Sequence, residues 1–186
     1  ADGITAIADA LRVNGSLTAL DLSSNYLKDE GVSAVCEAIQ SNKETKLASL
    51  DFFQNNIGPV GANALAAMVA VTGSLTSLDL SQNQLCGVSS FGNGTYNTEG
   101  ITAIADALRV NGSLTSINLS GNQLCGIWTD WKGDQLGTYT AEGIAAIADA
   151  LRVNGSLTSL DVRSNNIAGD GAAQLSAAVL GNLKIE

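Results

Sequence analysis

Nine residues, Leu75-Thr76-Ser77-Leu78-Asp79-Leu80-Ser81-Gln82-Asn83, have close copies along the chain, and this recurrence restricts the fold more than any other feature. The copies begin at Leu17, Leu47, Leu75, Leu114 and Leu157, at separations of 30, 28, 39 and 43 residues. Such a period marks a stacked array, in which each repeat is one supersecondary unit that buries its apolar face only against its neighbours. The fourth and sixth places of each copy are apolar, as in Leu78 and Leu80, and alternate with small or polar residues. That is the period of a short half-buried strand. Each copy closes on an asparagine, Asn25, Asn55, Asn83, Asn122 or Asn165. An amide side chain both donates to and accepts from backbone, so stacked copies are expected to form a buried, satisfied amide ladder where the strands turn away.

The block and the segment that follows it resemble the leucine-rich repeat of the ribonuclease-inhibitor type, in which LxxLxLxxNxL precedes a helical half that begins near a glycine. The resemblance covers nearly all of the 186 residues. It implies a right-handed α/β solenoid with a parallel sheet on the concave face and helices on the convex face. It also implies a protein-binding role, with a different partner for each member; inhibitors of ribonucleases and activators of small GTPases resemble this array. Residues 1–186 read as a single such domain, with full repeats from 17, 47, 75, 114 and 157 and partial repeats at 1–16 and 183–186. The partial repeats leave stacking surface uncapped, so either the chain is a fragment or neighbours cover its ends.

The helical half is clearest at 3–13, where Ile4, Ile7 and Leu11 share one helical face, and it returns nearly unchanged at 100–113 and 143–156. Asp9 with Arg12, Asp106 with Arg109 and Asp149 with Arg152 stand three apart on the exposed face, where such pairs contribute about 0.2–0.5 kcal/mol each. Acidic residues precede the glycines at 3, 31, 100, 143 and 171 and complement the helix dipole. Asn-Gly-Ser at 14–16, 111–113 and 154–156 ends the helix and turns the chain into the next strand. Cys36 takes the place of Ala8, Ala105 and Ala148, an inward position where a thiol packs as a hydrophobe.

Two repeats are too long. Against 28 residues, the third has 39, or 11 more, and the fourth 43, or 15 more. Both insertions, about 86–97 and 125–140, lengthen the strand-to-helix connection on one rim, and they share a Cys-Gly start and a Gly-Thr-Tyr end. Aromatics form only 4% of the chain, yet Phe91, Tyr96, Trp128, Trp131 and Tyr139 all fall here. Insertions of this kind map to one face, often the binding face, and aromatic side chains anchor interfaces. The other reading is that the two loops fold onto each other and their rings cover the rim. Both readings can hold together.

Cys86 and Cys125 occupy equivalent places in successive repeats, so their backbones should lie roughly 5 Å apart. That distance allows a disulfide, and the alternative is two reduced thiols packed under the loops. Three cysteines in all suit an intracellular protein, cytoplasmic or organellar, slightly better than a secreted scaffold. Against this, Asn14, Asn93, Asn111, Asn118 and Asn154 each open an Asn-x-Ser/Thr triplet, which leaves a secreted or cell-surface setting open.

On the concave face the strand pattern points Asp21, Asp51, Asp79, Asn118 and Asp161 outward in one column, with Phe53 and Arg163 adding bulk beside it. The carboxylates repel one another. They read either as a surface for a basic partner or a hard cation, or as structural groups that bond neighbouring serines and backbone. Asp130, Asp134 and Glu142 are scattered oxygen donors without the spacing of a calcium loop. The chain has no His, hence no Ser-His or Cys-His nucleophile and no ordinary zinc site, and it has no phosphate-binding glycine loop. No catalysis and no cofactor are expected. A net charge of −9 with dispersed cations opposes nucleic acid, and no run of about 20 apolar residues is present to insert into a membrane. The sequence therefore describes a non-catalytic protein-interaction module or scaffold, using the rim aromatics, the concave face or both. A built-in subunit contacting neighbouring subunits of a large assembly, a regulator of a partner enzyme such as a nuclease or small GTPase, and a glycosylated recognition protein remain as alternatives.

Overall fold

The computed structural model describes residues 2–182. Along the chain lie α1 (Asp2–Leu11), β1 (Ala19–Asp21), α2 (Lys28–Ser41), β2 (Ser49–Asp51), α3 (Pro59–Val71), β3 (Ser77–Asp79), α4 (Glu99–Val110), β4 (Ser116–Asn118), β5 (Ile127–Thr129), β6 (Gln135–Gly137), α5 (Glu142–Leu151), β7 (Ser159–Asp161) and α6 (Gly169–Gly181). The five block strands form one parallel sheet in the order β1-β2-β3-β4-β7, while β5 and β6 form a separate antiparallel hairpin. Each helix packs on the helices of the adjoining repeats, giving the layered α/β solenoid expected. The partial repeat at 183–186 lies outside the described residues.

Register is unbroken. Leu20, Leu50, Leu78, Ile117 and Leu160 pair in one row, and Asp21, Asp51, Asp79, Asn118 and Asp161 in the next. Leu47, Leu75, Leu114 and Leu157 stack beneath the sheet as a buried column, and Ile57, Leu85 and Leu124 form another. Each such leucine removed from water contributes about 1.5–3 kcal/mol. From the convex side α4 buries Ile101, Ile104, Ala105 and Leu108, and α5 buries the matching Ile144, Ile147, Ala148 and Leu151. In α1, which among the described helices packs on α2, the equivalent Ile7 stays 37% exposed. The fit is close where helices enter: a side chain at Gly100 would collide with the Leu85 carbonyl and with Pro59.

The amide ladder is present. The Oδ1 of Asn55 accepts the N–H groups of Asn25 and Leu27, both at 3.1 Å, and its Nδ2 donates to the Leu22 carbonyl at 2.8 Å. Asn83 does the same for the repeat before it, and Asn165 accepts the Asn122 N–H at 2.8 Å. The turn beside the ladder demands a left-handed backbone from ordinary residues, with φ of 57° at Ser24, 53° at Gln54, 56° at Gln82 and 58° at Tyr26.

A second ladder stands at the opposite edge, where the sequence showed only helix stops and glycosylation triplets. Asn42 donates to the Leu11 and Asn14 carbonyls at 2.7 and 2.8 Å, Asn154 to Leu108 at 2.6 Å, and Asn182 to Leu151 at 2.9 Å. Asn111, which donates to the Val69 carbonyl at 2.7 Å, and Asn154 are buried, and a glycan on either nitrogen would disrupt these bonds. The ion pairs Asp9–Arg12, Asp106–Arg109 and Asp149–Arg152 all form on exposed helix faces.

Candidate binding site on the rim

The two insertions are one structure at two lengths. In the first, Val88 pairs antiparallel with Gly94; in the second, Ile127 pairs with Gly137. The closing bonds match, from Asn97 N–H to the Cys86 carbonyl and from Thr140 N–H to the Cys125 carbonyl, both 3.0 Å. The turns match as well. Ser89 N–H donates to the Asn93 carbonyl and Asp130 N–H to that of Asp134, both at 2.9 Å. Gly92 and Gly133 hold the left-handed position, with φ of 78° and 89°. In the first turn the Ser89 hydroxyl accepts two N–H groups; in the second an Asp130 carboxylate oxygen accepts those of Lys132 and Asp134, at 2.8 and 2.9 Å. The longer insertion therefore adds one pair of residues to each arm, Trp128-Thr129 and Gln135-Leu136, which keeps every side chain on its original face.

The aromatics divide by role. Tyr96 donates its hydroxyl to the Leu124 carbonyl at 2.8 Å, and Tyr139 donates to the Ala168 carbonyl, so each tyrosine fastens its hairpin to the following repeat. Trp128 is half-buried, with one edge of its indole against Gly92 of the first hairpin and the other against Gly137 of its own, where no side chain would fit. Phe91 and Trp131 are different: they are 84% and 88% exposed at the two tips. Lys132 places its ammonium 5.0 Å from the centre of the Trp131 ring. Trp128 thus joins the two loops, the tyrosines fasten them to the array, and the rings of Phe91 and Trp131 stand bare at the tips.

The structure carries Cys86 and Cys125 as separate thiols. Both are free and buried, as is Cys36. Each thiol lies within hydrogen-bonding reach of the tyrosine that closes its own hairpin. Burial pushes Cys86 up to about 12, with Cys125 beside it adding to the rise and the Tyr96 hydroxyl opposing it. Burial likewise pushes Cys125 up to about 11 against the Tyr139 hydrogen bond.

On the concave face the acidic column serves its own backbone. Asp21 accepts the Ser23 N–H at 2.8 Å, Asp51 that of Phe53 at 2.7 Å, and Asp79 that of Ser81 at 2.8 Å. Asn118 and Asp161 accept the N–H groups of Ser120 and Arg163, both at 3.0 Å. Arg163 closes on Asp161 with a 2.5 Å ion pair, which holds that carboxyl below its usual value. Asp51 is raised, first by burial and then by the charges of Asp79 and Asp21 on either side. Phe53 is half-buried. Among the described residues, no group of three or more His, Cys, Asp or Glu side chains stands close enough to hold a metal ion, and no helix is long and apolar enough to cross a membrane.

Sequence reasoning passed over Tyr26, which is 68% exposed on the same rim. It occupies the place after a ladder asparagine that Asn56, Gln84, Gln123 and Asn166 fill elsewhere, and its contrast with those amides was the available signal.

Repeated strand, asparagine ladder and convex helix define a protein of the solenoid class built from one α/β unit. Family models described as leucine-rich repeats match residues 13–36, 43–66, 74–93, 113–133 and 153–176. The chain belongs to the leucine-rich repeat family. It is 38% identical over 79 residues to human NACHT, LRR and PYD domains-containing protein 13, an alignment that covers 42% of this chain and 8% of that protein. The mouse protein 12 of the same description aligns equally well over 42% of this chain and 7% of its own length. The match thus spans under a tenth of these relatives. In fold the chain is similar to the tropomodulin C-terminal domain of Caenorhabditis elegans, with a TM-score of 0.69 at 14% identity over 97% of this chain and 93% of that one. It is also similar to actin-binding site 2 of leiomodin-1, with a TM-score of 0.68 at 18% identity over 95% of this chain and 87% of that one.

Proposed function

We propose that the chain is a non-catalytic protein-binding module whose anchors are Trp131 and Phe91, presented on two rigid hairpins at one rim. The exposure of these two rings carries the reading. Large aromatic side chains left bare on a surface are the residues that dominate interface energies once a partner covers them. Their hairpins are braced by Trp128, Tyr96 and Tyr139, so little ordering entropy remains to be lost on binding. The name of the leiomodin-1 neighbour, an actin-binding site, makes a protein the natural class of partner for an array of this shape. The concave acids are engaged in their own turns and leave Phe53 as the main apolar contact there.

The test compares capture of partners from a lysate of the source cells by the parent chain and by a Trp131→Ala, Phe91→Ala variant of equal melting temperature. The reading requires a partner that is lost with the two rings and retained by an Asp79→Asn, Arg163→Ala variant. Retention by the ring variant and loss by the concave variant would move the site to the concave face. If that partner is an enzyme, its turnover with and without the chain separates a regulator from a scaffold. A built-in subunit of a large assembly would instead be recovered with the same neighbours in fixed ratio.

A further inference from the structure

Between Tyr26 and Phe91 the rim forms a cleft of about 410 Å³, a size within the roughly 300–1,000 Å³ of small-ligand sites. Gln54, Asn56, Gln82 and Gln84 line it from the array, and Ser90 and Asn93 from the first hairpin. Neither a charged nor an aliphatic side chain borders it, in a chain of net charge −9. Among the described residues the amides of Asn56, Gln82 and Gln84 make no hydrogen bond, so donors and acceptors stand free side by side. Tyr26 adds a separate observation. It holds a left-handed backbone, with φ of 58°, where an asparagine would be relaxed, and the residue stays 68% exposed. Lys28, 5.4 Å from that ring, is not among the groups that line the cleft.

This lining selects a chemistry. A carboxamide offers an NH2 donor group and a carbonyl acceptor side by side in one plane, the pattern that neighbouring hydroxyl groups complete. An aromatic ring offers a flat apolar face to the C–H side of a sugar ring. A peptide would need an apolar socket for its anchor side chain, and a phosphate or carboxylate would need a cation; the cleft provides neither. The geometry points to a short, uncharged oligosaccharide as the ligand, with Gln84, Gln82 and Asn56 holding hydroxyls and the rings of Tyr26 and Phe91 stacking on sugar faces. This site shares Phe91 with the protein-binding rim proposed above but does not include Trp131.

The 186-residue chain is screened on an array of uncharged glucose-, mannose-, galactose-, xylose- and N-acetylglucosamine-based oligosaccharides. Hits are titrated by NMR through the side-chain amides of Asn56, Gln82 and Gln84. Binding should shift these signals, and Gln84→Ala should weaken it at least about tenfold with the melting temperature unchanged. Tyr26→Asn, which keeps the left-handed corner, should weaken it similarly, whereas Trp131→Ala should leave it intact. The proposal is overturned if no oligosaccharide binds at millimolar concentration, if binding survives both Gln84→Ala and Tyr26→Asn, or if extended peptides shift the three amides and sugars do not. Loss of a protein partner in Trp131→Ala with sugar binding retained would show that sugar binding does not depend on the Trp131 tip, so the failure of either reading is seen apart from the other.

Discussion

Asn83 accepts the backbone N–H of Asn55 through its Oδ1 at 2.9 Å, so one side chain serves the turn of the repeat before its own. The same oxygen takes the Ile57 N–H at 3.0 Å, and Nδ2 donates to the Phe52 and Leu80 carbonyls, both at 3.0 Å. All of this lies out of water, so Asn83→Ala leaves several buried groups without partners, each worth about 1–3 kcal/mol. The expected loss in urea unfolding exceeds about 3 kcal/mol. Asn25, exposed in the first block, bonds only the carbonyls of Leu22 and Ser23 through its amide, and Asn25→Ala should lose only about 1 kcal/mol.

The rim rings should separate in stability as they do in exposure. Trp131→Ala and Phe91→Ala remove groups that touch little and should change unfolding free energy by less than about 0.5 kcal/mol. Trp128→Ala opens the seam between the hairpins and should lose about 2–3 kcal/mol. With only two tryptophans in the chain, fluorescence checks the assignment. Emission of the Trp131→Ala variant should lie to the blue of that of a Trp128→Phe variant.

The three thiols should be silent in the folded chain. Burial raises Cys36, Cys86 and Cys125 above the ordinary 9.0, so a maleimide or disulfide reagent at pH 8 meets almost no accessible thiolate. Labelling should appear in denaturant, with all three reacting. The linkage has a definite sign. A thiol whose folded value is raised contributes stability that is fully present below the unfolded value near 9 and is lost as pH climbs toward the folded values of about 11 and 12. Unfolding free energy should therefore decline between about pH 9 and 12, and less steeply in a Cys86→Ala, Cys125→Ala variant.

Asp51 stands between Asp21 and Asp79 in the sheet and is raised by burial and by both charges. Asn118 occupies the same row without the charge, and its amide donates to Asp79 at 2.9 Å. Asp51→Asn keeps the oxygen that accepts the Phe53 N–H and should stabilise the chain by about 0.2–1 kcal/mol at pH 7. Near pH 3 the gain should vanish, because Asp51 is then neutral. Paired melting curves at the two pH values decide this.

How much of the site was legible depended on whether its bonds are local or cross between repeats. The relation of the two insertions was visible in their shared Cys-Gly and Gly-Thr-Tyr ends, but the equivalence of Ser89 and Asp130 was not, because a hydroxyl and a carboxylate do one job in turns of different sequence. Trp128 and Trp131 lie three residues apart and read alike, yet one is clamped between glycines and the other is bare. Asn111 and Asn154 read as glycosylation triplets because their partners, the carbonyls of Val69 and Leu108, are more than 40 residues away.

The array itself was determined by sequence alone. A strand block of period two, an asparagine at its end and a helix of matching apolar spacing leave stacking as the only burial, since no single repeat encloses a core. Tertiary structure decided which polar and aromatic groups remain free. Cys86 and Cys125 are buried, the concave acids turn onto their own backbone, Trp128 is wedged between two glycines, and Tyr26, Phe91 and Trp131 face water. The physical reason is that a side chain's freedom is set by atoms a repeat or more away, which pattern within one repeat does not specify.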